Sequence, residues 1–184
     1  MSKGISGLFR WTIGHIRHIG GRIIPGKDGV VTGGKSKILG ENLMQEMGLP
    51  KSFSWEGYQA QHIIPAGLRN HPVLQKIGMD LDHASNGIFL PEHGKESRIL
   101  SRHKGYHKLY SKFVRSKLDQ IDVNQPSLNI QKQVHSLQTK LRRLQESGLP
   151  LYKGFSKNDG KSKVYPYRQG NTLDMWKRRY DALN

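Results

Sequence analysis

Residues 58–72 read YQAQHIIPAGLRNHP, and the reading of this stretch decides the fold. Polar and small residues lead to His62, two β-branched residues follow, and Pro65 stops the run. That pattern predicts a strand ending at Ile63–Pro65, because β-branched side chains favour the pleat and proline cannot continue a ladder. An imidazole held there is anchored by Ile63 and Ile64, and a neutral ring so placed accepts a proton from water at physiological pH. A second short strand is predicted in NGIFLP, residues 86–91, where Asn86-Gly87 supplies the turn.

Working outward, helices are expected on both sides of these strands. SKILGENLMQEMG, residues 36–48, has Ser36 as N-cap and Gly48 as stop. From about Ser101 to Leu118 the apolar spacing turns helical. A further helix is expected over Leu128–Gln145, where Ile130, Val134, Leu137, Leu141 and Leu144 recur at alternating steps of four and three. LDMWKRRYDAL gives a last helix near the C-terminus. Residues 20–36, glycine-rich with Pro25, read as a loop or linker, and there is no internal repeat.

A chain of 184 residues suffices for one ordinary domain with appendages. Mean hydropathy is −0.66 and only 35% of residues are hydrophobic, so the core is expected to be modest. Lys and Arg number 30 against 14 Asp and Glu, a formal charge of +16. Such a surplus points to a polyanionic partner, because neutralising phosphates releases counterions. The absence of cysteine excludes disulfides, thiolate metal sites and cysteine nucleophiles. No apolar stretch reaches membrane-spanning length, and the N-terminus lacks the uninterrupted apolar centre of a secretory signal. Leu8, Phe9, Ile13 and Ile16 there fit one face of a helix docked on the domain.

GVVTGGKS, Gly29 to Ser36, satisfies the spacing of a phosphate-binding P-loop. Such a loop needs a buried strand before it and a strand-borne magnesium-binding aspartate. Pro25 and Gly26 interrupt the preceding residues, and no apolar strand ending in aspartate follows. The motif is therefore set aside.

Six of the nine histidines, His62, His71, His83, His93, His103 and His107, fall between residues 62 and 107. Such clustering suggests a metal or acid–base site. On a helix His103 and His107 stack on one face. Tyr106, Tyr110, Phe113, Val114 and Leu118 share that side, with Lys104, Lys108, Lys112 and Arg115 opposite. Gly105 weakens the helix by about 1 kcal/mol relative to alanine, so its first turn is expected near Tyr106. Asn86 is either a turn residue, a metal ligand through its amide oxygen, or the holder of the loop that orients His62.

Three stretches in order, QAQHIIP, DLDHASNGIFLP and HKGYHKLYSKFV, resemble the AHH nucleases of the HNH/endonuclease VII group. That family runs Ala-His-His-hydrophobic-hydrophobic-Pro, then Asn-Gly with Leu-Pro, then His-x-Gly-x-His-x-x-Tyr. LGENLMQEMGL and SGLPLY are similar to segments flanking such domains in bacterial polymorphic toxins. The resemblance covers about residues 36–152. It implies an α+β fold with a ββα-metal finger in a mostly helical domain, preceded by a basic, glycine-rich segment (1–35) and followed by a basic extension (153–184).

Carried over, the resemblance makes His62 the general base. His107 and His103 become metal ligands, Asn86 the central asparagine, and Tyr110 the tyrosine packed behind the site. Gln61 stands where the family has its first histidine, ordinarily a ligand. An amide oxygen suits magnesium or manganese better than zinc or nickel. Three readings stand: a harder ion with Gln61 or Asn86 as oxygen ligands, a weakened site, natural or introduced, or a spectator residue.

The resemblance thus implies a hydrolase with one divalent ion that cuts DNA with little sequence preference. Lys95, Arg98, Arg102, Lys104, Lys108, Lys112 and Arg115 would hold flanking phosphates. It further implies a bacterial toxin, delivered by a specialised system into a target cell's cytoplasm and blocked by an acidic immunity protein. The alternatives are a non-catalytic nucleic-acid-binding module and an RNase on the same finger.

Overall fold

β1 (Tyr58–His62) and β2 (Gly87–Pro91) pair antiparallel, with Tyr58 opposite Pro91 and His62 opposite Gly87. The computed structural model describes residues 22–92, 107–149, 151 and 172–183. Every residue of β2 is buried, which explains its uninterrupted apolar run: both faces of the ribbon are covered. Ala60 and its cross-strand partner Phe89 pack with Leu39, Leu43 and Met44 of α1 (Ser36–Glu46). Ile88 and Leu90 belong to a larger core shared with α2 (Pro72–Ile77), α3 (Lys108–Leu118), α4 (Ser127–Glu146) and α5 (Thr172–Asp181). The chain is therefore α+β, and β1, β2 and α3 occur in the strand–strand–helix order of a ββα finger set among helices.

β1 stops short of its expected end and β2 starts one residue into its expected stretch, for one reason. β1 ends at His62 rather than at Ile63–Pro65, and β2 starts at Gly87 because residues Ala84–Asn86 form a 3-10 turn. Ile63 N–H donates to the Asn86 carbonyl at 2.8 Å, and Ile64 N–H to the Asn86 side chain at 2.8 Å. A side chain thus takes over where the ladder stops.

Ser36 is the first residue inside α1, not its cap; Lys35 occupies the cap position without a side-chain bond. The Gly34 and Lys35 amides go instead to the Asp82 carboxylate, at 2.7 and 2.9 Å. A carboxylate from elsewhere in the chain supersedes the local serine. The helix stops where expected, with Gly48 at φ +68. α2, not anticipated, has His71 as its cap, Pro72 at its first position and left-handed Gly78 at its end. A Cβ on Gly78 would lie 1.5 Å from the Lys27 carbonyl, so only glycine admits the segment before α1 at this point.

α3 begins at Lys108, two residues after the start near Tyr106 that Gly105 suggests; residues 101–106 lie outside the described ones. Its helical wheel holds from there. Tyr110, Phe113, Val114 and Leu118 are buried, while Lys108, Lys112 and Arg115 are exposed. The whole apolar seam of α4 is buried as expected. α5 forms where the last helix was expected, and its Trp176 is fully buried with ring centroids 5.0 Å from Tyr110 and 5.6 Å from Phe113. Lys117 Nζ lies 4.6 Å from the Tyr180 ring and 3.2 Å from Asp181, so α3 and α5 run side by side in the same direction. The N-terminal apolar positions Leu8, Phe9, Ile13 and Ile16 lie outside the described residues.

Trp176→Ala is expected to cost about 4 kcal/mol through the cavity left between α3 and α5. Chemical denaturation of the variant and the parent measures it, and a loss near zero would mean that α5 does not contribute to the core.

Candidate active site

Alternation along β1 sends neighbouring side chains to opposite faces. Ala60 and His62 look toward the start of α1, and Gln61 looks toward α3. The Gln61 Oε1 atom meets His107 Nε2 at 2.8 Å, and Gln61 Nε2 donates to the His62 carbonyl at 3.0 Å. Because the amide NH2 is committed to that carbonyl, the oxygen faces the imidazole, and His107 Nε2 is the donor of the pair. Gln61 and His107 are both buried. His107 is the cap residue of α3, outside its helical turns, with φ −114 and ψ 76. That backbone lets the ring turn to Gln61 instead of lying along the helix side. The expected pairing of His107 with His103 falls on a residue outside the described ones. Lys95, Arg98, Arg102 and Lys104 lie outside them as well.

On the other face His62 Nε2 lies 2.8 Å from Asp82 Oδ1, and both residues are buried. Asp82 escaped the sequence reading. Its only signal was an aspartate flanked by Leu81 and His83 in a chain poor in acids. The P-loop-like motif finds its explanation here too, since the carboxylate fills the place where a phosphate would meet the Gly34 and Lys35 amides.

Asn86 is completely enclosed, and all of its amide capacity is used. Oδ1 accepts from Ile64 N–H and from Gln138 Nε2 at 3.1 Å, while Nδ2 donates to the carbonyls of Ile64 and Leu81 at 3.2 and 3.0 Å. Of the roles open to it, this geometry is that of the loop holder. α4 supports the same loop through residues the apolar pattern did not reveal. Arg142 donates to the Gly87 and Ser85 carbonyls on either side of Asn86, at 2.8 and 2.9 Å. Gln145 donates to the Tyr110 hydroxyl at 2.7 Å, and that hydroxyl donates to the Ile63 carbonyl at 2.6 Å. Gln138, Arg142 and Gln145 lie four and three apart, hence on one face of the helix. Burial holds the Tyr110 hydroxyl well above the usual phenol range and lowers the Arg142 guanidinium from its usual value.

The resemblance implies a divalent ion, and the Gln61–His107 pair fits one in chemistry: an amide oxygen and an imidazole nitrogen, converging and buried. No group of three His, Cys, Asp or Glu residues placed for a cation occurs among the described residues. The pair would therefore leave other positions to water, phosphate or His103. His107 Nε2 must release its hydrogen before it can bind a cation.

Asn86→Ala strips partners from Ile64, Leu81 and Gln138 and is expected to cost at least about 3 kcal/mol. Denaturation in EDTA and with added metal separates the roles: a loss seen only with metal would make Asn86 a ligand instead. His83 caps the turn carrying Asn86, its Nδ1 accepting from Ser85 N–H at 3.1 Å. Burial lowers the ring below the ordinary 6.5, with Asp80 and Glu46 pulling the other way. The unfolded chain therefore binds this proton first, and the stability His83 contributes is present above pH 6.5 and lost as pH falls through its depressed native value. Between about pH 7.5 and about pH 5.5 the melting temperature should fall less for His83→Asn, which keeps an uncharged acceptor, than for the parent. Equal falls would remove His83 from the pH response.

Searches of curated proteins and of solved structures found no match. A family model does match residues 42–147, which span both strands, the Asn86 turn, His107, α3 and α4, and it describes a nuclease family of the HNH/ENDO VII superfamily with conserved AHH. The stretch that resembles that signature reads Ala60-Gln61-His62. With more than half of its length matched and its strand–strand–helix order in place, the chain belongs to the AHH nuclease family of the HNH/ENDO VII superfamily.

Proposed function

We propose that this nuclease is a metal-dependent endonuclease that hydrolyses DNA phosphodiester bonds with little sequence specificity. The observation that carries the reading is the meeting of Gln61 Oε1 and His107 Nε2, 46 residues apart in the chain, at 2.8 Å beside His62. Gln61 and His107, with His103 as a further ligand, would hold the ion. A bound divalent ion supplies positive charge for the scissile phosphate and the leaving 3′ oxygen. His62 ends β1, so a phosphate at the end of that strand can address both of its faces. There His62 takes the proton of the attacking water. Asn86, Arg142 and Gln138 keep the adjoining loop from shifting.

Lys108, Lys112 and Arg115 form an exposed basic face on the helix that His107 caps. They grip flanking phosphates, and Lys95, Arg98, Arg102 and Lys104 extend the grip. Such contacts orient the backbone without reading bases, hence the slight sequence preference. In the setting that the polymorphic-toxin resemblance implies, the chain is an antibacterial toxin. It reaches the target cell's cytoplasm through a specialised system and is neutralised by an immunity protein. A charge of +16 favours an acidic one. Among the described residues no helix is long and apolar enough to cross a membrane.

One observation favours a non-catalytic nucleic-acid-binding module instead: the residue in the first histidine's place is an amide already bonded to His107. Plasmid nicking with metal and with EDTA separates the two, and offering RNA alongside tests the polymer. Metal-dependent nicks are expected, and His62→Ala is expected to abolish them while DNA binding and the melting temperature persist. Retained cleavage would remove His62 from the mechanism. Gln61→His, which restores an imidazole, should move the preferred ion from magnesium or manganese toward zinc or nickel. An unchanged preference in parallel cleavage assays would make Gln61 a spectator.

A further inference from the structure

We infer that Asp82 is a positioning residue for His62: its carboxylate sets the tautomer and direction of the ring, and the glycine turn ahead of α1 sets the carboxylate. This rests on the reading of His62 as the general base. The His62–Asp82 contact of 2.8 Å is buried at both ends, with 7% and 5% of the two side chains exposed. Water therefore competes little for either partner.

Asp82 is itself fixed from several directions. Oδ1 accepts from the Gly34 and Lys35 amides, and Oδ2 from the Lys35 amide at 3.1 Å. The Asp82 carbonyl accepts from Asn42 Nδ2 at 2.8 Å, and its amide donates to Asp80 Oδ1 at 3.1 Å. Gly33, at φ +77, makes the approach possible, because a Cβ there would lie 2.7 Å from the Asp82 nitrogen. The turn adjoining this glycine thus ends in a clamp on one carboxylate, and the carboxylate ends in a clamp on one ring.

An ionised carboxylate only accepts hydrogen bonds. His62 Nε2 therefore carries the hydrogen of the neutral ring, and Nδ1 keeps the lone pair. Nδ1 is then the atom that takes the water's proton. Without Asp82 the ring would be free to exchange tautomers and rotate, and only part of the population would present a base.

Asp82→Asn tests this. It removes the charge. Because Oδ1 receives His62 Nε2 as well as the Gly34 and Lys35 amides, either an uncharged oxygen faces the ring or an NH2 group takes that place and forces the hydrogen to Nδ1. Either way the imidazolium formed when water gives up its proton loses its charged partner. The expected result is a fall of about 100-fold or more in the single-turnover cleavage rate at saturating DNA, with the DNA dissociation constant within about twofold of the parent. A merely structural role would lower the melting temperature and weaken binding along with the rate. Long-range nitrogen–proton NMR correlation of the unsubstituted protein, at a pH where the ring is neutral, decides the tautomer even if the variant does not fold. Hydrogen on Nε2 is expected, and hydrogen on Nδ1 overturns the inference. The two readings fail differently. Cleavage by His62→Ala sinks the general base and this inference with it. Loss of cleavage in His62→Ala with a parental rate in Asp82→Asn sinks the role of Asp82 alone.

Discussion

The Asn86 amide is the constraint on which the rest of the structure depends. It stands where the two-stranded ladder stops, and its oxygen and NH2 group take over the bonding of Ile64, Leu81 and Gln138. Its own backbone carbonyl receives Ile63 N–H. Burying that many polar groups unpaired would cost several kcal/mol. The segment leaving β1 therefore has one low-energy path, and the orientation of Gln61 and His62 follows from it. α4 reinforces the path with the Arg142 guanidinium on both neighbouring carbonyls and with the Gln145–Tyr110 relay to Ile63.

Two polar pairs grow from this fixed strand end, one on each face. Gln61 reaches His107 at the head of α3, and His62 reaches Asp82 at the head of α1. Each therefore ties the ribbon to a different helix, so the site cannot shift without disturbing two packing layers. A paired and buried network of this kind specifies geometry more than it adds stability, because each bond replaces one to water. The helices contribute what the ribbon alone lacks, since an isolated pair of short strands is marginal in water.

Lys108, Lys112 and Arg115 face solvent on α3, whereas Asp82 is buried against His62. With 30 strong bases against 14 acids the chain carries a large cationic surplus. A polyanionic substrate meets little repulsion there.

Periodicity and punctuation determined the elements. The alternating seam of α4, the apolar face of α3, the Asn-Gly turn before β2 and the stop at Gly48 are local patterns, and local sterics and burial decide them. The family signature was legible because its residues keep fixed spacing within three short stretches. The fold alone decided that Asp82 rather than Ser36 binds the turn before α1, that His107 leaves the helix to meet Gln61, and that Gln138, Arg142 and Gln145 face inward. Those outcomes depend on partners 35 to 57 residues away in the chain. A polar residue's place is set by which unpaired group it meets after collapse, and that carries no periodic mark in sequence.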